Sequence, residues 1–135
     1  MALLVPNNGE GDALEYFVNK DTPENLILNL YESNTTPAET DTAATHTDAT
    51  FTGYSAITLT GASWGAPSEG APSSIAYAQQ TFTSSAGAQD VDCYGYFMTR
   101  ATSGRIALAE RFSDGPYNIV NNGDAIRITP TITAD

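Results

Sequence analysis

Hydrophobic and polar positions recur with more than one period along this 135-residue chain. Near the start, Leu14, Phe17 and Val18 fall at the i, i+3, i+4 spacing of one helix face. Asp12 with Glu15 three residues on reads as a capping box, Lys20 suits the negative end of a helix dipole, and Pro23 closes the segment. The pattern predicts a helix of about two to three turns with its apolar face packed on a sheet. From Leu26 the period becomes two. Leu26, Leu28 and Leu30 alternate with Ile27, Asn29 and Tyr31, which predicts a strand with one strongly apolar face. Residues 32–50 are rich in Thr, Ala, Asp and Glu with almost no large apolar residue, and read as a long loop or extended arm.

Further along, residues 57–60 form a short strand pattern ended by Gly61, and 61–74 read as loop, punctuated by Gly65, Pro67, Gly70 and Pro72 with Trp64 as the anchor. Residues 75–83 are strand-like. Residues 91–100 carry bulky groups on both faces, as in a central strand covered on both sides or one at an interface. Ile106, Leu108 and Phe112 mark another strand. Residues 117–120 and 125–129, joined through Asn121-Asn122-Gly123-Asp124, read as a hairpin with Gly123 supplying the positive φ. Pro130 places the last strand at an edge or at a bend. About seven or eight short strands and one helix predict a mainly β fold. The expected architecture is a single-domain antiparallel β-sandwich over 1–135, of jelly-roll or immunoglobulin-like type. Residues 1–8 would form an N-terminal arm, and 32–50 and 61–74 long loops.

Charge alters the picture of possible partners. Charged residues make up 16% of the chain, below the roughly 25% of ordinary soluble domains, and 5 Lys+Arg face 16 Asp+Glu for a net charge of −11. A nucleic-acid binder needs cations to displace phosphate counterions. Lys20, Arg100, Arg105, Arg111 and Arg127 are few and scattered, so neither nucleic acid nor an anionic membrane is an expected partner. The acidity itself reads either as a solubility device or as a feature with a functional use. The first residues lack a basic region ahead of their short apolar run, and no stretch approaches the ~20 apolar residues of a membrane span. A soluble, unexported chain is the expectation.

Candidate chemistry is sparse. His46 is the single histidine and lies in the polar 32–50 segment, where it reads as a surface loop residue. Cys93 is the single cysteine, read as a buried, inert thiol, so neither a disulfide nor a His/Cys metal site is expected. Glu110 alternates onto the face of Ile106, Leu108 and Phe112, and a structural ion pair explains it better than acid catalysis. Arg111 beside it is the candidate partner, with Arg100, Arg105 or Arg127 as neighbouring-strand cations. Asp90, Asp92, Asp114 and Asp124 lack a calcium-loop pattern and read as turn residues. No catalytic, cofactor-binding or metal site is expected. Tyr94, Tyr96 and Met98 on one face read as a contact surface, or else as a second core layer under the helix. The apolar Ala2, Leu3, Leu4 and Val5 read as a docking arm.

A set of motifs in fixed order carries a resemblance over nearly the whole chain: the run from Met1 to Asn7, Pro23-Glu24-Asn25-Leu26, Phe51-Thr52-Gly53-Tyr54, Ser74-Ile75-Ala76-Tyr77, Tyr94-Gly95-Tyr96-Phe97, Ala109-Glu110-Arg111-Phe112, and the segment 122–130. The set resembles a group of small virion structural proteins of tailed bacteriophages. The resemblance implies a particle component with no catalytic residues, foremost a capsid cement (decoration) protein. Such a protein binds the major capsid protein on the outer shell, with copies of itself as trimers around local threefold axes, after assembly in the host cytoplasm. The alternatives are a tail-fibre or baseplate-associated protein that binds a host receptor, and a carbohydrate-binding or glycoside-hydrolase sandwich using Trp64.

Overall fold

The computed structural model describes residues 3–134. Its helix α1 (Asn7–Phe17) opens directly after the extended Pro6, which caps it six residues before Asp12 would have. Glu10 in the first turn supplies the charge that suits a helix N-terminus. The stop is local too. Asn19 adopts a positive φ of 57°, Asn19 N donates to Tyr16 O at 3.1 Å and Lys20 N to Glu15 O at 2.8 Å. These are the paired bonds of a Schellman motif, which asparagine tolerates, so the helix ends before Pro23 is reached. Lys20 Nζ sits 2.8 Å from Glu15 Oε1 across the same turn.

The described strands are β1 (Leu26–Tyr31), β2 (Ile57–Leu59), β3 (Ser73–Ala76), β4 (Gln80–Thr83), β5 (Val91–Cys93), β6 (Gly95–Arg100), β7 (Ile106–Arg111), β8 (Tyr117–Ile119), β9 (Ala125–Ile128) and β10 (Thr131–Ala134). The fold is mainly β, with one short helix and several antiparallel sheets and no closed barrel among the described residues. A four-stranded sheet runs β2-β1-β6-β7, and three two-stranded ribbons pair β10 with β3, β4 with β9 and β5 with β8. The expected hairpin is therefore not formed. Gly123 has its positive φ, at 91°, but the turn joins β8 and β9 while each pairs with another strand. Pro130 marks the bend between β9 and β10, and its carbonyl accepts from Tyr77 N at 2.8 Å.

One face of the four-stranded sheet contributes Leu28, Leu30, Met98 and Leu108 to a core that also gathers Phe82, Cys93, Ile119, Ile126 and Ile128 from the ribbons. The other face holds Tyr31, Phe97, Ile106 and Ala109. Leu108 pairs with Met98 and Ile106 with Thr99, so Ala107 is an extra residue in β7. This bulge separates Ile106 from Leu108, which simple alternation would place on one face. The N-terminal arm is part of the sheet edge: Leu4 N donates to Ala109 O at 2.8 Å and Ala109 N to Leu4 O at 2.9 Å. Leu3 and Val5 pack against the core.

Candidate functional site

Helix α1 is turned the opposite way from the simple amphipathic expectation. Gly9, Asp12 and Tyr16 lie on one side of it and face the sheet, while Glu10, Leu14, Phe17 and Val18 share the other (i, i+4, i+7, i+8) and face outward. Leu14 is 68% exposed, Phe17 90% and Val18 67%. Scattered apolar residues on a surface need no explanation, but three adjoining ones on a helix do.

Two devices fix this rotation. A Cβ at Gly9 would lie 2.2 Å from the carbonyl oxygen of Ala107, so only glycine lets the helix approach the bulge of β7. Asp12 is buried and is held by two arginines, 3.2 Å from Arg100 Nη1 and 3.2 Å from Arg105 Nε. Arg100 is itself buried, at the end of β6, and its Nη2 also reaches Asp21 at 2.9 Å and Glu24 at 2.8 Å. Its guanidinium lies 5.0 Å from the centroid of the Tyr16 ring. Glu24 Oε2 in turn accepts from the backbone of Thr102 and Ser103 in the β6–β7 turn. One cation thus ties the helix, the segment after it and a strand turn together, with a polar helix face inward and the apolar face left outside.

The same accounting exposes the acidity. Lys20, Arg100 and Arg105 pair with carboxylates, and Arg111 donates to Asn34 Oδ1 and Thr35 O. Among the described residues this leaves Arg111 and Arg127 as the cations without an acidic partner, Arg111 being held by neutral oxygens. The outward stripe is bordered by Glu10 and Glu15 on its own helix. Compared with known protein families, characterised proteins and solved structures, this chain matches none.

The residues singled out as an interface lie elsewhere than expected. Tyr96 and Met98 are buried in the core, at 6% and 0% exposure, because β6 is a central strand between β1 and β7. Tyr94 is half-buried beneath the Arg111 guanidinium, 5.0 Å from its ring centroid. Leu3, Leu4 and Val5 are engaged within the chain, and Ala2 lies outside the described residues. The Glu110–Arg111 ion pair does not form, since neighbours on a strand point to opposite faces. Glu110 Oε2 accepts instead from the Tyr96 hydroxyl, whose pKa burial and this carboxylate both raise.

His46 is buried rather than on the surface. Its ring stacks 5.3 Å from Phe97 and meets Tyr31 at a 40° tilt, 4.7 Å between centroids, on the second face of the sheet. Nδ1 lies 3.3 Å from Thr35 Oγ1, and Nε2 lies 3.2 Å from Asp41 Oδ2 without the alignment of a hydrogen bond. Burial holds the His46 pKa below its ordinary value, against the pull of the Asp41 carboxylate. A hydroxyl, an imidazole and a carboxylate are in series here, but the His46 side chain has no exposed surface. The group acts as a clamp that seats the 32–50 segment over Tyr31 and Phe97.

The remaining candidates have separate structural partners. Cys93 is fully buried, and burial pushes its thiol up to about 12 with Glu32 and Asp92 adding to the shift, far from the thiolate a nucleophile needs. Asn118 Nδ2 donates to both Asp90 and Asp92 at 2.8 Å, Asp114 accepts from Tyr117, and Asp124 accepts from the backbone of Val120 and Asn121. Among the described residues no group of three or more His, Cys, Asp or Glu is placed to hold a metal ion. Trp64 is half-buried and meets Tyr77 edge-on at 5.3 Å, which leaves it a poor open platform for a sugar.

Proposed function

We propose that this chain is a non-enzymatic structural protein of a tailed-bacteriophage particle, acting as a cement that binds the major capsid protein on the outer face of the shell. The observation that carries the reading is the outward stripe of Leu14, Phe17 and Val18, held in place by a buried charge network. Fully covering such side chains is worth about 1.5–3 kcal/mol each, so leaving three exposed favours a partner that covers them. In this reading the fold is a β-sandwich, with the four-stranded sheet facing the three ribbons across the common core. The ordered motif set and the chain's acidity point the same way. A net charge of −11 suits basic patches outside a shell and opposes contact with packaged DNA.

The stripe replaces the N-terminal arm and the Tyr94–Tyr96–Met98 face as the docking surface. Quantifying the proteins of purified particles tests the reading. A copy number comparable to that of the major capsid protein is expected. A handful of copies per particle would instead place the chain in a tail fibre or baseplate.

A further inference from the structure

Where glycine follows asparagine, no Cβ shields the glycine nitrogen from the carbonyl carbon of the asparagine side chain. The chain holds two such pairs in nearly the same local sequence, Asn7-Asn8-Gly9-Glu10 and Asn121-Asn122-Gly123-Asp124. The fold places them in different settings. Asn8 lies in the first turn of α1, is half-buried, and accepts at Oδ1 from Arg105 Nη2 at 3.4 Å. Gly9 is buried against the Ala107 carbonyl. Helical side chains also point back toward the N-terminus, away from the next peptide nitrogen. Asn122 and Gly123 are both exposed in the turn between β8 and β9. The Asn122 side chain has no hydrogen-bond partner among the described residues, and nothing lies within 4 Å of a Cβ placed on Gly123. One bond opposes reaction there: Gly123 N donates to Ser84 O at 2.9 Å. It sits past the Thr83–Ala125 pair that ends the β4–β9 ribbon, and such ends open at low cost.

We propose that Asn122 is a site of spontaneous deamidation in the folded chain, whereas Asn8 is protected. The Gly123 nitrogen gives its proton to water or hydroxide and attacks Asn122 Cγ. The Cγ–Nδ2 bond breaks, ammonia leaves, and a five-membered succinimide forms. Water then opens the ring. Addition at the former side-chain carbonyl gives aspartate; addition at the main-chain carbonyl gives isoaspartate, whose backbone is one methylene longer. Water is the only co-reactant, and the net exchange is amide plus water for carboxylate plus ammonium. The fold is built to survive the change. β8 pairs with β5 and β9 with β4, so a longer link between β8 and β9 shifts no register between paired strands. The product carries one more negative charge, two residues from the Asp124 carboxylate that holds the Val120 and Asn121 amides. This site is independent of the capsid reading, since it lies outside the exposed stripe of α1.

Ageing the full folded chain in mildly alkaline buffer, and separately in urea, tests the proposal by peptide-resolved mass spectrometry. Trypsin separates the two sites, in peptides that end at Lys20 and at Arg127. In the folded chain Asn122 is expected to convert at least about tenfold faster than Asn8, the gap between opening a turn and unwinding a packed helix. In urea the two pairs are expected to convert at similar rates. The product should contain isoaspartate, read by isoaspartyl methylation, and the aged chain should keep a dispersed NMR spectrum. Asn122→Gln, a change at an exposed turn position, is expected to abolish the fast conversion. Equal rates in the folded chain, faster conversion at Asn8, or an inert Asn122 while the urea sample reacts would each overturn it. So would a gap that persists in urea, or an aged chain that loses its dispersion.

Discussion

Gly9 and His46 illustrate how much single side chains decide in this molecule. Alanine is a better helix former than glycine by about 1 kcal/mol, so Gly9→Ala would stabilise an isolated helix. Here the added Cβ meets the Ala107 carbonyl oxygen at 2.2 Å, and the expected outcome in urea unfolding is a net loss of about 1–3 kcal/mol. His46 leads to a pH prediction. Its folded pKa lies below the ordinary value of 6.5, so between those two values the unfolded chain binds more protons and stability falls as the pH is lowered. The paired carboxylate Asp21, lowered by its bond to Arg100, loses its contribution only below its ordinary value of 3.8, so the two windows are separate. Unfolding midpoints of His46→Phe and the parent from pH 7 to 5 check this, and the variant should show a shallower decline. The sequence gives no sign of this burial. Thr45, Thr47 and Asp48 make the local surroundings of His46 polar, and its aromatic partners Tyr31 and Phe97 come from distant strands that no local pattern connects to it.

Elements show a sharper division between what is legible and what is not. Alternation in residues 26–31 locates β1, because period two is a local property of a half-buried or buried strand, whereas the run 91–100 reads as one strand and the structure divides it at Tyr94 into β5 and β6, which pair in different sheets. Turn chemistry at Asn122-Gly123 locates a reversal, yet it says where the chain turns and not which strand it then meets, so it pairs β8 with β9 where the structure pairs them with β5 and β4. Periodicity likewise found the Leu14, Phe17, Val18 face but not its direction. The direction is set by Gly9 and Asp12 on the opposite side, which the sequence pattern leaves ahead of the helix and at its cap. Two variants separate these roles. Arg100→Met leaves the buried Asp12 short of its main partner and is expected to cost about 3 kcal/mol of stability; partial solvent access at Asp21 keeps the loss at the low end for a broken buried pair. Replacing Leu14, Phe17 and Val18 together by serine should change stability by no more than about 0.5 kcal/mol per site, since these side chains already meet water. Thermal and urea unfolding of both variants would show the contrast.

At the scale of the whole molecule, two properties combine: a polyanionic surface and one fixed apolar protrusion. Intrachain contacts occupy Lys20, Arg100, Arg105 and Arg111, so little positive charge is left to offset the 16 acids. Two such surfaces repel each other, and the stripe therefore favours a partner with an apolar recess bordered by Lys or Arg over a second copy of this chain. Composition made the acidity plain from the outset, but the pairing that leaves it uncompensated depends on contacts between distant segments. The most direct test is co-sedimentation of the purified protein with particle shells that lack it, comparing the parent chain with the Leu14, Phe17 and Val18 serine variant. The account predicts saturable binding of the parent at a stoichiometry comparable to the major shell subunit, weakened by added salt, and loss of at least tenfold in affinity for the folded variant. Equal binding of the two proteins, or no binding of the parent, would contradict it.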